Sequence, residues 1–135
     1  MLRFFIGLFI VLHDLVHLWY FSLSQRLVEF QPEMGWSGRS WILSNLLGDS
    51  TTRSLAGVLY VLATIAVVVS GIGIFIQAEW WRPMLLASAV FSSVIILLLW
   101  DGSTQLLVQK GLIGLIINVV ILITLLLLKW PSAVL

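Results

Sequence analysis

The chain has 135 residues, 61% of them hydrophobic and only 10% charged, with a mean hydropathy of +1.13. Soluble domains run nearer half apolar and a quarter charged, so this composition is that of a membrane protein. A net charge of +1 leaves no basic surface for nucleic acid, and the absence of cysteine excludes disulfides, thiol chemistry and thiolate metal sites.

A bilayer crossing takes about 20 mostly apolar residues in a helix. Four stretches qualify, at about 4–23, 55–76, 83–100 and 109–129. Backbone groups in lipid must be satisfied within the segment, and the alternation of a barrel is absent, so the expected fold is all-α. The whole chain, 1–135, reads as one membrane domain, a four-transmembrane-helix bundle. The first span carries His13, Asp14 and His17 at its centre, which suits a membrane helix better than a secretory signal cleaved after Ser22-Leu23-Ser24.

The connection 24–54 is the one long loop. Trp36, Arg39 or Ser40, Leu43 and Leu47 share a helical face there. The spacing predicts a short interfacial helix over Ser40–Leu47 ended by Gly48, with Gly35–Leu47 along the membrane surface and Trp36 and Trp41 at headgroup depth. Trp80 and Trp81 precede the third span, and Trp100 and Trp130 end the third and fourth, as interfacial indoles do. Pro83 suits a first helical turn.

Four spans put both termini on one side. Arg3, Arg82, Lys129 and the amine lie with the termini, against Arg26, Arg39, Arg53 and Lys110. Two of these four lie inside the long loop and Lys110 can snorkel, so the termini are placed in the cytoplasm, with a bacterial inner membrane as the setting.

Polar residues at mid-span carry the functional signal. His13 and Asp14, Thr64, Ser92 or Ser93, and Asn118 sit near the centres of the four spans and are expected in one layer. At about 100° per residue, His13, His17, Tyr20 and Ser24 share a face of the first helix, with Asp14 at its edge. Arg53, Gly57, Tyr60, Thr64 and Gly71 share one in the second, and Gly111, Gly114 and Asn118 one in the fourth. For Thr64, Ser92 and Ser93 the ordinary role is a hydroxyl bonded back to its own helix, and for Asn118 a bond between helices. Asp14 is different, because a carboxylate at mid-depth costs several kcal/mol unless paired or protonated. His17, one turn on, is its nearest partner in sequence.

His13-Asp14-Leu15-Val16-His17 has the spacing of a His-Glu-x-x-His zinc helix with Asp for Glu. Such a site needs a third ligand and a base. The chain has only these two histidines, and Asp14 cannot serve as both, so no metal site is expected. Two axial histidines of a haem must approach from opposite faces, which positions i and i+4 of one helix cannot do. Mono-His ligation, or one His from each of two subunits, keeps haem as a candidate. A His–Asp pair in a dry site suits the carbonyl of a quinone or another lipid-soluble ligand, or a proton relay, with Tyr20 and Tyr60 assisting. The ligand-binding or proton-handling candidates are therefore His13, Asp14, His17, Tyr20, Tyr60, Thr64 and Asn118, with no catalytic residue assigned.

The first helix, Gly7-Leu8-Phe9-Ile10-Val11-Leu12-His13-Asp14-Leu15-Val16-His17, and the stretch Trp80-Trp81-Arg82-Pro83-Met84-Leu85-Leu86-Ala87 resemble small bacterial four-helix membrane proteins. Size and span count are similar to the DoxX-like group, and the resemblance implies a link to quinone or thiosulfate metabolism. It covers general architecture and carries no residue role.

Three functions are expected from these readings. The first, favoured by the small extramembrane mass, is a non-enzymatic accessory or structural subunit, meeting lipid and partner helices in a homo-oligomer or larger membrane complex. The second is a binder of a quinone-like ligand at the His/Asp layer, with redox or proton transfer. The third is a small oligomeric transporter. A pocket beside His13 favours the second, a flat Gly- or Ala-lined outer groove the first, and a continuous hydrated track the third.

Overall fold

A computed structural model describes residues 1–29, 31 and 34–131; Phe30, Pro32 and Glu33 of the long loop and the last four residues lie outside that description. The described residues form helices and no strand, and four helices are long and apolar enough to cross a membrane. The first crossing consists of α1 (Leu2–Asp14) and α2 (Val16–Ser24), which join through Leu15 with helical backbone angles. A short α3 (Leu43–Leu47) is followed by α4 (Asp49–Phe75) and α5 (Trp81–Leu99). A π-helical turn (Val108–Leu112) then leads into α6 (Ile113–Leu126). The protein is a multi-pass membrane protein with an all-α, four-helix bundle fold.

Packing follows chain order: α1 and α2 lie on α4, α4 on α5, and α5 on α6. Small residues set the first of these contacts. A Cβ built on Gly71 would lie 2.5 Å from the Val11 side chain and 3.3 Å from the Gly7 carbonyl, so glycine lets the two backbones approach. Ser70 of α4 and Ser88 of α5 meet at 3.2 Å in the interior, each also bonded to its own helix. Large apolar side chains such as Phe9, Ile65, Val94 and Val120 face outward on all four spans, as lipid contact requires.

The second span begins at Asp49, not near residue 55. The turn Asp49–Ser54 is polar, so hydropathy does not register it, yet Gly48 at φ 80° ends α3 and α4 starts at once. The long loop is correspondingly shorter than 24–54. The first span starts at Leu2, and the last ends at Leu126 rather than Lys129. Arg82 reaches carbonyl groups in the last turn of α6 and just past it, bonding Leu125 and Pro131, and lies over the Trp81 ring.

One expectation holds in part, with a short helix ended by Gly48, and one fails, both for identifiable reasons. The surface helix is confined to Leu43–Leu47, which buries nothing, while Trp36 turns into the bundle at 3% exposure instead of lying at headgroup depth. The cause lies at the end of α5, where a helix leaves its last carbonyls without intrahelical donors. Residues 36–41 supply them. Trp41 Nε1 donates to Leu97 O (2.9 Å), Ser40 Oγ to Leu98 O (2.5 Å), Trp36 Nε1 to Leu99 O (2.5 Å) and the Trp41 amide to Trp100 O (2.7 Å). Second, Gly111, Gly114 and Asn118 do not share one continuous helical face. Gly111 has φ 107°, a left-handed conformation that breaks the register before α6 begins.

Lys110 is paired rather than snorkelled. Its ammonium lies 2.9 Å from Asp101, which also accepts from the Ser103 amide and the Ser37 hydroxyl. Burial opposes the Asp101 charge, but these donors outweigh it and hold its pKa below the ordinary carboxylate value. Because the folded value lies below the unfolded one, the stabilisation is complete above the ordinary carboxylate range and is lost as pH falls through the folded value. Lys110→Met is therefore expected to destabilise the protein by about 1 kcal/mol near neutral pH. Thermal unfolding in detergent should show that gap closing as pH falls into the acid range. A pH-independent gap would mean that the pair does not carry the effect.

Candidate functional site

The site forms where α1, α2, α5 and α6 converge at mid-span. Asp14 ends α1 and His17 lies in the first turn of α2. Between them the helix tightens locally, as Leu18 N–H bonds Leu15 O at 3.0 Å while the Asp14 carbonyl accepts from His17 Nδ1 at 3.2 Å. That bond fixes the His17 proton on Nδ1 and leaves Nε2 as an acceptor. Ser92 Oγ–H donates to His17 Nε2 at 2.9 Å. The same Ser92 oxygen accepts from Asn118 Nδ2 at 2.9 Å, which turns Asn118 Oδ1 toward His13 Nε2 at 3.2 Å. The result is one directed chain, His13 to Asn118 to Ser92 to His17 to the Asp14 backbone, crossing three spans. His17 and Asn118 are buried at 1% and 2% exposure.

The Asp14 side chain sits inside this ring of bonds but outside the chain. It is fully buried, and neither carboxyl oxygen has a hydrogen-bond donor. Asp14 Oδ1 lies 3.4 Å from His17 Nδ1 and 4.0 Å from His13 Nε2. Among the described residues, the only other buried side-chain polar atom without a partner is the Thr52 hydroxyl. Buried polar atoms are nearly always paired. A carboxyl group between two imidazoles with open acceptor positions is therefore suited to receive a proton or a donor from outside the protein.

His13, Asp14, His17 and Asn118 are brought together, and Ser92 joins them although it was expected only as a helix-bonded hydroxyl. Its neighbour Ser93 does bond back, to Ala89 O at 2.8 Å, and Thr64 bonds Tyr60 O at 2.9 Å, so neither hydroxyl enters the chain. The two tyrosines stand on the loop side. Tyr20 donates to Gln109 O at 2.7 Å, tying α2 to the turn before α6. Tyr60 packs between the rings of His17, Tyr20 and Trp36, with centroids 5.9, 5.5 and 5.7 Å away. These aromatic rings close the layer toward the long loop. Both ring nitrogens of His17 are engaged, so ligation of a haem iron there requires breaking the chain. Among the described residues no group of three or more histidines and carboxylates is placed to hold a metal ion.

The seam between α1 and α6 holds an apolar groove of about 340 Å³, lined by Phe5, Ile6, Phe9 and Ile10 on one wall and Val120, Ile121, Thr124 and Leu125 on the other, with Leu85, Trp130 and Pro131 completing it. The Phe9 ring stacks on His13, 6.1 Å between centroids and 8° from parallel. That stack is the contact between the groove wall and the polar layer, whose own residues do not line the groove. Comparison with family models, with curated proteins and with solved structures finds no match.

Proposed function

We propose that the protein binds a lipid-soluble, quinone-like ligand inside the bilayer and exchanges a proton with it through His13 and Asp14. The observation that carries this reading is the Asp14 carboxyl, buried without a donor between two imidazoles, one of which stacks on Phe9 of the groove wall. A ring hydroxyl or carbonyl that reaches past Phe9 meets the His13 edge. Two acceptors lie within reach of His13 Nε2–H, Asn118 Oδ1 at 3.2 Å and Asp14 Oδ1 at 4.0 Å. A small ring rotation exchanges one for the other, and a ligand hydroxyl that protonates Nδ1 as Nε2 gives its proton to the carboxylate passes one proton with no electron transfer. The groove is walled by aromatic and branched residues rather than by a flat face of glycine and alanine, which favours a ligand over a helix partner. The aromatic closure by Tyr20, Tyr60 and Trp36 favours a site reached from the seam over a path through the bundle. The DoxX-like resemblance in size and span count accords with quinone chemistry, and the bacterial inner membrane with cytoplasmic termini is the setting proposed.

Calorimetric titration in nanodiscs with a short-chain benzoquinone and its hydroquinone, repeated in two buffers of different ionisation enthalpy, tests this reading. Wild type should bind with net proton exchange, and Asp14→Asn should lose the exchange while still inserting. Unchanged affinity and unchanged proton exchange in Asp14→Asn would overturn it. One observation favours a second reading, that of an accessory subunit: the last span is the least covered of the four, leaving outward residues such as Ile116 and Ile123 for a partner helix.

A further inference from the structure

The groove between α1 and α6 lies in one half of the membrane. It runs from Phe5 to Ile10 along α1 and from Val120 to Leu125 along α6, on the terminal side of the layer that holds His13 and Asn118. Its lining is apolar throughout. The Thr124 hydroxyl is engaged by its own helix, donating to Val120 O at 2.7 Å. Such a slot accepts hydrocarbon and offers a polar group no partner along its length. Polar chemistry begins at its mouth, where Trp130 and Pro131 line the outer end. Indoles settle at headgroup depth.

Arg82 stands at this mouth. Its half-buried guanidinium donates to the carbonyls of two groove residues, Leu125 at 3.1 Å and Pro131. It also lies 5.4 Å from the centroid of the Trp81 ring. These contacts hold the guanidinium in place without neutralising it. Carbonyls carry no net charge, and among the described residues no carboxylate lies within ion-pairing distance of Arg82. Its planar fork has further N–H groups to give an anion. The surrounding charge has the same sign, since Arg3 and Lys129 belong to this face, against Glu79 among the described acids.

We infer that the groove holds one acyl chain of an anionic glycerophospholipid from the adjoining leaflet, with the phosphate on Arg82 and the chain reaching inward toward Phe9. The chain itself gains little over bulk lipid, because lipid is equally apolar. Selectivity comes from the headgroup, whose charge-assisted bonds complete a basic site between two spans. A zwitterionic lipid brings its own cation to the same place. A second copy of the chain would have to meet Arg82 with an acid, and this face supplies only Glu79 among the described residues. Lipid binding here is independent of the proton exchange proposed at His13 and Asp14.

Native mass spectrometry of the full chain in mild detergent tests the assignment with dioleoyl phosphatidylglycerol, dioleoyl phosphatidylcholine, and glycerophosphoglycerol as the bare headgroup. Wild type should retain a single phosphatidylglycerol about tenfold more tightly than phosphatidylcholine, and should not retain the bare headgroup. Arg82→Gln should erase that preference. Lys129→Gln, which removes an exposed cation of the same face, should keep it. Val120→Trp fills the groove from an exposed position and should weaken phosphatidylglycerol binding about fivefold by barring the chain. Val119→Trp, exposed on the same helix and outside the groove, should leave binding unchanged. Thr124→Phe serves if Val120→Trp does not fold. Equal affinity of wild type for the two lipids overturns the assignment without any variant. So does a preference that survives Arg82→Gln, binding that survives both groove variants, a bare headgroup held as tightly as the lipid, or a dimer that forms in place of the lipid complex.

Discussion

His17→Ala should lower the thermal stability of the detergent-solubilised protein by about 2 kcal/mol, whereas Asp14→Asn should stay within about 1 kcal/mol of wild type. The imidazole holds both ends of a connection: Nδ1 on the Asp14 carbonyl and Nε2 on Ser92. The Ser92 bond joins two spans, and interhelical hydrogen bonds in membranes average about 0.6 kcal/mol, so it explains roughly a third of the expected loss. The remainder is the void beside Tyr60 and the loss of the basic group nearest a buried carboxyl. Asparagine, by contrast, is near-isosteric with aspartate and removes the ionisable group without opening space. Asp14→Leu should also insert, because neither carboxyl oxygen holds a protein donor that the change would strand. Ser92→Ala combined with His17→Ala should cost less than the two single losses together, since both break one bond. Equal stability of His17→Ala and wild type would show that the chain across the spans contributes nothing, and would remove the reason to treat Asp14 and His17 as one unit.

Trp36→Ala should be still more damaging, at about 3 kcal/mol or above, while Trp41→Ala should cost about 1 kcal/mol. Both indoles donate to carbonyls at the end of α5. They differ in burial: Trp36 is 3% exposed and packs on Tyr60, and Trp41 is 53% exposed. Trp36→Phe separates the two contributions, since it keeps most of the ring packing but leaves the Leu99 carbonyl without the indole donor. It should fall between wild type and Trp36→Ala. Brominated-lipid quenching of single-tryptophan variants gives an independent view, with Trp41 strongly quenched and Trp36 shielded. Matching quenching at the two positions, or matching losses from the two alanine variants, would mean that the loop does not fold inward at Trp36.

The sequence alone determined the number of spans, because lipid demands that long apolar segments satisfy their own backbones. It also determined which polar residues lie at mid-depth, because position along a helix of known rise is depth. His13, Asp14, His17 and Asn118 were legible on that ground. Depth says nothing about direction around the helix axis at a contact. Ser92 and Ser93 differ by one residue and about 100° of azimuth. Only the way α5 is wedged between its neighbours aims Ser92 at His17 and leaves Ser93 on its own helix. Thr64 likewise bonds Tyr60 O on its own helix and stays out of the chain. The polar first turns of α4 escaped hydropathy because a helix that rises above the bilayer needs no apolar side chains. Trp36 had the composition of a headgroup anchor and became core, because the carbonyls ending α5 needed donors that only the folded loop supplies. Gly111 read as part of a small-residue face, yet its backbone angle interrupts that face. The groove has no local signature at all. It exists because α1 packs on α4 and α6 packs on α5, leaving the first and last spans to meet along a seam that tertiary packing does not fill.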